Sequence, residues 1–349
     1  MIGEQHIETA IARGIISRDQ AAQLRALAAV PAAPFGEASD PDDERFRLIG
    51  GFNDVFVTVG IVLLVSALFG LSSTLGFGIA FVIVALVAAW GLSEVFARHL
   101  RLALPAIALS LMFACAGGLA AYMIANSALQ ATGAAEAGRP LPISLLLGLG
   151  AAATAALHRW RFRVPIDTAI IAAGLACALM GAFEFAAPDW TKAHKALLLA
   201  GMGTVILAAA IRIDATDTLR VTRRSDVAFW LHLLAAPMLV HAVSSLLFGP
   251  ATELGVPQAL GILALFAVFG LIAVVLDRRA LLVSGLSYAG LAIGYLLSER
   301  LSKDVSLSLT LLGLAALVLL LSAQWRSLRR AALLALPLGG VRQLVPPAS

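Results

Sequence analysis

The feature that most constrains this chain is a succession of ten apolar stretches, each near the length that crosses a bilayer, separated by short polar joints. They occupy residues 53–71, 77–96, 103–126, 142–157, 166–186, 196–211, 227–247, 258–276, 281–297 and 305–322. A helix needs roughly 20 apolar residues to span the hydrocarbon core, where lipid offers backbone groups no partner and the helix must pair its own. Composition agrees: 60% of the 349 residues are hydrophobic and 13% are charged, against about 25% charged in a soluble domain. A soluble enzyme is excluded. So is an outer-membrane barrel, whose alternating strands do not raise mean hydropathy to +0.92. The expected fold is all-α: a polytopic helical membrane bundle of about ten transmembrane helices in direct contact with the lipid bilayer.

Basic residues beside the spans set their orientation. Alternate joints carry Arg98 and Arg101; Arg159, Arg161 and Arg163; Arg212, Arg220, Arg223 and Arg224; Arg278 and Arg279, eleven in all. The other joints carry Arg139, Lys192, Lys195, Arg300 and Lys303, five in all. The richer side is expected to be cytoplasmic, and an even number of spans puts both termini there. The excess of 22 Arg over three Lys, with abundant Ala and Leu, points to a GC-rich bacterial genome and so to the inner membrane. A net charge of +4 does not call for a nucleic-acid partner. No basic stretch followed by an apolar one opens the chain, so no cleavable signal is expected.

Residues 1–30 differ in character from the rest of the chain. Apolar residues recur at helical spacing in Ile7–Gly14, and Gly14 is a natural helix stop. Ser17-Arg18-Asp19-Gln20 has the pattern of a capping box, opening a second helix with Ala21, Ala22, Leu24 and Leu27 on one side. A hairpin this small cannot bury a core of its own. It must lie on the membrane, on the bundle or on a cytoplasmic protein partner, with residues 7–29 as the docking segment. Residues 31–49 form an acidic, Pro-containing linker, residues 50–323 the bundle, and residues 324–349, with Arg326, Arg329 and Arg330, a basic cytoplasmic tail.

The segment Gly14-Ile15-Ile16-Ser17-x-x-Gln20-Ala21-x-x-Leu24, placed before a multi-span bundle, resembles a bacterial family of predicted membrane proteins called domain of unknown function 2157. Phe229-Trp230-Leu231-His232-Leu233-Leu234-Ala235-Ala236-Pro237 is similar to segments of related membrane proteins. The resemblance implies an inner-membrane protein and carries over no catalytic residue.

Motifs of phosphate-binding loops, HExxH metalloproteases and GxSxG hydrolases are absent. Cys115 and Cys177 fall in apolar runs and are expected to be buried and inert. Gly117-Gly118 suits close helix packing. Asp54, Asp167 and Asp226 open spans and are expected as helix caps, with Asp54 and Asp226 kept as titratable candidates near the membrane edge. Glu94 should pair with Arg98 one turn on, and Glu184 should lie at the outer interface, also as a titratable candidate.

The seventh span is the most polar, with Trp230, His232, Pro237, His241, Ser244 and Ser245. His241 is expected to point into the bundle and bond to Tyr288 or Tyr295 of the ninth span. His232 and His241 stand nine residues apart, on opposite faces, and cannot share one ion. The other histidines (His6, His99, His158, His194) fall in the hairpin or in joints, so no metal, haem or other cofactor is expected. Ser284, Tyr288 and Tyr295 share a face of the ninth span, and Cys115, Tyr122 and Asn126 share one of the third. His241, Ser244, Tyr288, Tyr295 and Tyr122 thus form a candidate polar pathway, with His232 as a further titratable group. Two classes of function remain: a carrier or channel for a small, weakly charged solute, or a non-catalytic scaffold or sensor that binds a partner through the hairpin. An intramembrane enzyme acting on lipid ranks last, since no acid and base are paired in one plane.

Overall fold

The computed structural model describes residues 9, 11–14, 17–21, 52–76, 78–131, 141–217, 222–249 and 255–335, with the backbone alone at 280, 283 and 284. Among the described residues from 52 on, ten helices succeed one another: α1 Phe52–Leu75, α2 Gly78–Ser93 with a π-helical turn Glu94–His99, α3 Ala103–Ala131, α4 Ile143–Phe162, α5 Ile166–Ala186, α6 Pro188–Asp214, α7 Arg223–Phe248, α8 Val256–Leu276, α9 Ala280–Ser298 and α10 Lys303–Ala335. Among the described residues there is no strand. Nine of these helices are long and apolar enough to cross a membrane, counting α2 with its π-helical turn. The tenth, α9, has 19 residues.

Each expected span falls on one helix, and several helices outrun the expectation, three of them in ways that bear on the polar residues. The helix α4 continues to Phe162, through the arginines that mark the end of the fourth apolar stretch. The helix α6 starts at Pro188 instead of near residue 196 and absorbs Lys192 and Lys195, with a local break at His194 (φ −114, ψ 16). Proline suits a first helical position because its missing N–H has no partner there to lose. The helix α10 runs to Ala335, through the first part of the segment expected as a tail. Trp325 and Arg329 hold that end, one turn apart and both buried.

Two helices are the most enclosed. The helix α3 packs on α1, α2, α4 and α5, and α7 packs on α5, α6, α8 and α9. The peripheral helices turn large apolar side chains outward, among them Phe52, Phe56 and Phe69 of α1 and Leu312, Leu319 and Leu320 of α10. In a bilayer this surface meets acyl chains. Cys115 and Cys177 belong to this outer surface, both as free thiols. The expected burial is corrected: in lipid an apolar run has as much reason to face outward as inward.

Small residues bring α3, α4 and α5 together. Gly148, Ala152 and Ala155 follow an i, i+4, i+7 spacing on α4, and Gly174, Ala178 and Gly181 repeat it on α5. A Cβ on Gly174 would lie 2.7 Å from the Gly148 carbonyl oxygen, and one on Gly181 would lie 2.5 Å from the Leu145 nitrogen. Gly117 and Gly118 make the matching approach from α3, where a Cβ on Gly118 would meet the Leu147 carbonyl oxygen at 2.8 Å. Close backbone approach of this kind drives helix association where lipid removes the hydrophobic force between helices.

In the N-terminal unit the described residues are 9, 11–14 and 17–21. Gly14 has φ +67 and donates its N–H to the Ile11 carbonyl oxygen, as a helix stop requires. Ser17 N–H donates to Gln20 Oε1 at 2.8 Å, and Gln20 N–H donates to Ser17 Oγ at 3.1 Å, which is the reciprocal pattern of a capping box. The hairpin beyond Ala21 and the acidic linker lie outside the described residues.

Candidate functional site

Successive helices run in opposite directions, so one end of the bundle collects the end of each even helix and the start of each odd one from α3 on. That end carries the arginine-rich joints. It also carries two buried polar networks.

The first joins α2, α3, α4 and α5. His158 of α4 and Asp167 of α5 are fully buried, with His158 Nδ1 3.0 and 3.1 Å from the two carboxylate oxygens. Ser93, the last α-helical residue of α2, places Oγ 3.1 Å from His158 Nε2, and Ser110 of α3 places Oγ 3.3 Å from Nδ1. Both hydroxyls donate elsewhere, Ser93 to the Ala89 carbonyl at 2.7 Å and Ser110 to the Ala106 carbonyl at 2.9 Å. Nδ1 thus faces the Asp167 carboxylate and Nε2 faces Ser93 Oγ, with the donor of each contact set by the imidazole tautomer. Aromatic rings close over the imidazole, with Phe162 at 4.6 Å and Phe113 at 5.8 Å between centroids. Serine, histidine and aspartate are the residue types of a hydrolase triad, but here the serine is wholly enclosed and no substrate can reach it. The arrangement locks four helices together.

Two expectations are corrected here. His158 lies inside α4, not in a joint, because the helix persists past the apolar stretch. Asp167 does not cap α5: Pro165 holds the cap position without a side-chain bond, and the carboxylate turns to His158. Likewise Thr222, not Asp226, caps α7, its Oγ1 accepting from Arg224 N–H at 3.2 Å. Asp226 stands half-buried in the first turn, and Asp54 is buried in the first turn of α1. At the rim of this network Glu94 accepts from Arg98 at 3.0 Å, as its spacing suggests, and is 2.7 Å from Arg161 of α4. The π-helical turn that starts at Glu94 packs against both α3 and α4.

The second network joins α6, α7, α8 and α10. Asp214 ends α6 and takes a two-pronged bond from Arg278, with Nε at 2.9 Å from Oδ2 and Nη2 on Oδ1. Arg278 Nη2 also donates to Ser225 of α7 at 3.3 Å. His232, fully buried two turns into α7, holds Nε2 3.7 Å from Asp214 Oδ2. Beside it, Asp277 occupies a left-handed position (φ 54) that ends α8 and accepts from Trp325 Nε1 at 2.7 Å. The Arg279 guanidinium stands 5.1 Å over the Trp325 ring. Asp214, Asp277 and Trp325 went unremarked in the sequence, and Arg278 stood out only as one of the basic residues of a joint. Their shared level at the ends of spans six, eight and ten, with Ser225 at the start of span seven, was the available signal.

The candidate pathway residues are partly gathered. His241 Nδ1 lies 2.5 Å from Tyr288 Oη, joining α7 to α9. The side chain of His241 is exposed, where burial was expected; the bond to Tyr288 is what keeps its nitrogen partnered. Ser244 is buried one turn on, and Tyr295 packs with Tyr288 and Phe248 around Ala259, Ile262 and Ala292. Tyr122 stands on α3, and among the described residues no hydrogen bond or ring contact joins it to the pair. Glu184 is exposed at the far end of α5, 3.4 Å from Ser144 Oγ. Among the described residues no group of three metal-ligating side chains is assembled.

The fold and these networks define a class: an integral membrane protein built as an all-α bundle, with its buried charges neutralised in pairs at one end. Compared with known proteins, the chain finds no matching family model, curated protein or solved structure.

Proposed function

We propose that the protein is a carrier or channel for a small, weakly charged solute, seated in a bacterial inner membrane with both termini in the cytoplasm. The observation that carries this reading is the His241–Tyr288 pair, an accessible donor and acceptor bridging two helices in an otherwise apolar length of the bundle. Buried carboxylates further toward the arginine-rich end are matched by His158 and Arg278. The bundle interior thus favours a solute with little charge of its own. Kinship with the domain of unknown function 2157 family belongs to the same proposal, resting on the Gly14–Leu24 segment.

Purified protein in liposomes should speed the re-swelling of shrunken vesicles in glycerol or urea, and Tyr288→Phe should slow it several-fold at equal protein content. Flux equal to that of protein-free liposomes for every solute of such a panel would overturn the proposal. The capped hairpin start supports a second reading, a scaffold that docks a cytoplasmic protein. Deleting residues 1–30 separates the two, leaving flux intact in the first case and abolishing co-purification of the partner in the second.

Orientation has its own test. A periplasm-active reporter fused after residue 250 should be active and one fused after residue 217 silent. The reverse pattern would invert the bundle.

A further inference from the structure

At the arginine-rich end, between α4, α5, α6 and α7, lies a cavity of about 1200 Å³. Arg159, Arg163, Arg212, Arg223 and Arg224 line it, together with Trp160. Guanidinium groups stay charged at any physiological pH. Five positive charges therefore face one space, and the lining contains no carboxylate. Among the described residues none of the five side chains makes an ion pair, whereas Arg98, Arg161 and Arg278 each do. Three carboxylates close by are engaged by other groups: Asp214 by Arg278, Asp167 by His158, and Asp217 by the N–H and hydroxyl of Thr222.

Like charges held together repel unless an anion joins them. Arginine's planar fork matches phosphate oxygens two at a time. The volume is larger than the roughly 300–1,000 Å³ of ordinary small-ligand clefts, so it exceeds what one phosphate needs. Trp160 is 76% exposed beside the arginines, at the level where indole rings sit between headgroups and acyl chains. Ile171 and Val227 give the cavity an apolar side. We infer that this cavity binds a ligand bearing two phosphate groups, the headgroup of an acidic diphosphate phospholipid fitting it best. The inference stands apart from transport, since it requires no movement of solute.

The test uses the full chain in detergent. Native mass spectrometry would follow binding of cardiolipin, with zwitterionic phosphatidylcholine as the comparison of no net charge, and calorimetry would follow inorganic pyrophosphate. Cardiolipin should bind and phosphatidylcholine should not compete. Changing Arg159→Gln, Arg163→Gln and Arg223→Gln together should weaken cardiolipin binding on the order of 100-fold, at about fivefold for each basic residue near a phosphate. Arg98→Gln, which removes one charge outside the cavity, should leave it within about twofold of wild type. Should the triple variant fail to fold, Arg212→Gln alone should still weaken binding about fivefold. If pyrophosphate binds instead, and the same substitutions abolish it, the diphosphate site stands and its source is soluble. Absence of both ligands from the wild type, or equal loss in Arg98→Gln and the cavity variants, would overturn the inference.

Discussion

Asp167→Ala is expected to cost the folded bundle about 1–3 kcal/mol, the range for leaving a buried donor without its partner. The carboxylate is fully buried and its two oxygens are both within 3.1 Å of His158 Nδ1. Without it the imidazole keeps a ring nitrogen in a closed apolar space walled by Phe113 and Phe162, with only Ser110 Oγ at 3.3 Å in compensation. The midpoint of unfolding in mixed micelles of rising SDS content would measure the loss. Replacing both partners together, His158→Leu with Asp167→Leu, should recover much of it, because a matched apolar pair leaves no orphaned polar group. A loss below about 1 kcal/mol for Asp167→Ala would mean that the pair holds nothing together.

The second large effect is expected at the crossing of α4 and α5. A Cβ on Gly148 would lie 2.5 Å from the Ala178 nitrogen and also meet the Gly174 carbonyl oxygen. Both obstacles are backbone, so neither can rotate aside. Gly148→Leu should therefore force the helices apart and lower stability by about 3 kcal/mol or more, at the upper end of overpacking costs. The yield of monodisperse protein and its thermal midpoint would report this. Gly201→Leu on α6 is the comparison, since nothing lies within 4 Å of a Cβ built there. Equal stability of the two variants would show that α4 and α5 do not depend on this contact.

These two sites show how unevenly the chain could be understood from its residues. Ten spans were visible because hydrophobicity sums along a helix, and a stretch of spanning length is a local property. The Gly14 stop and the Ser17–Gln20 box were visible for the same reason, since every atom in them lies within a few residues. The glycine pair was harder: Gly117-Gly118 stood out as neighbours, while Gly148 and Gly174 gain their meaning only from facing each other. The pair His158–Asp167 was obscured by its surroundings, since the arginines from Arg159 on marked the end of an apolar stretch at residue 157, before the helix ended at Phe162.

The number of long apolar helices and the gathering of arginines in alternate joints were thus determined by the sequence alone, through terms that depend on composition over short windows. Which side chains meet was decided only by the tertiary structure. Ser93, Ser110, His158 and Asp167 lie as much as 74 residues apart along the chain, and so far as their own neighbours show, each is an ordinary polar residue at a helix end. Packing of α2 to α5 places them at one level and shuts out water, and that turns four unremarkable groups into a closed network. The five arginines of the cavity obey the same rule. Their number and their place in alternate joints were plain from the sequence, but only the fold gathers them around a common space and gives Asp214 and Asp167 to other partners.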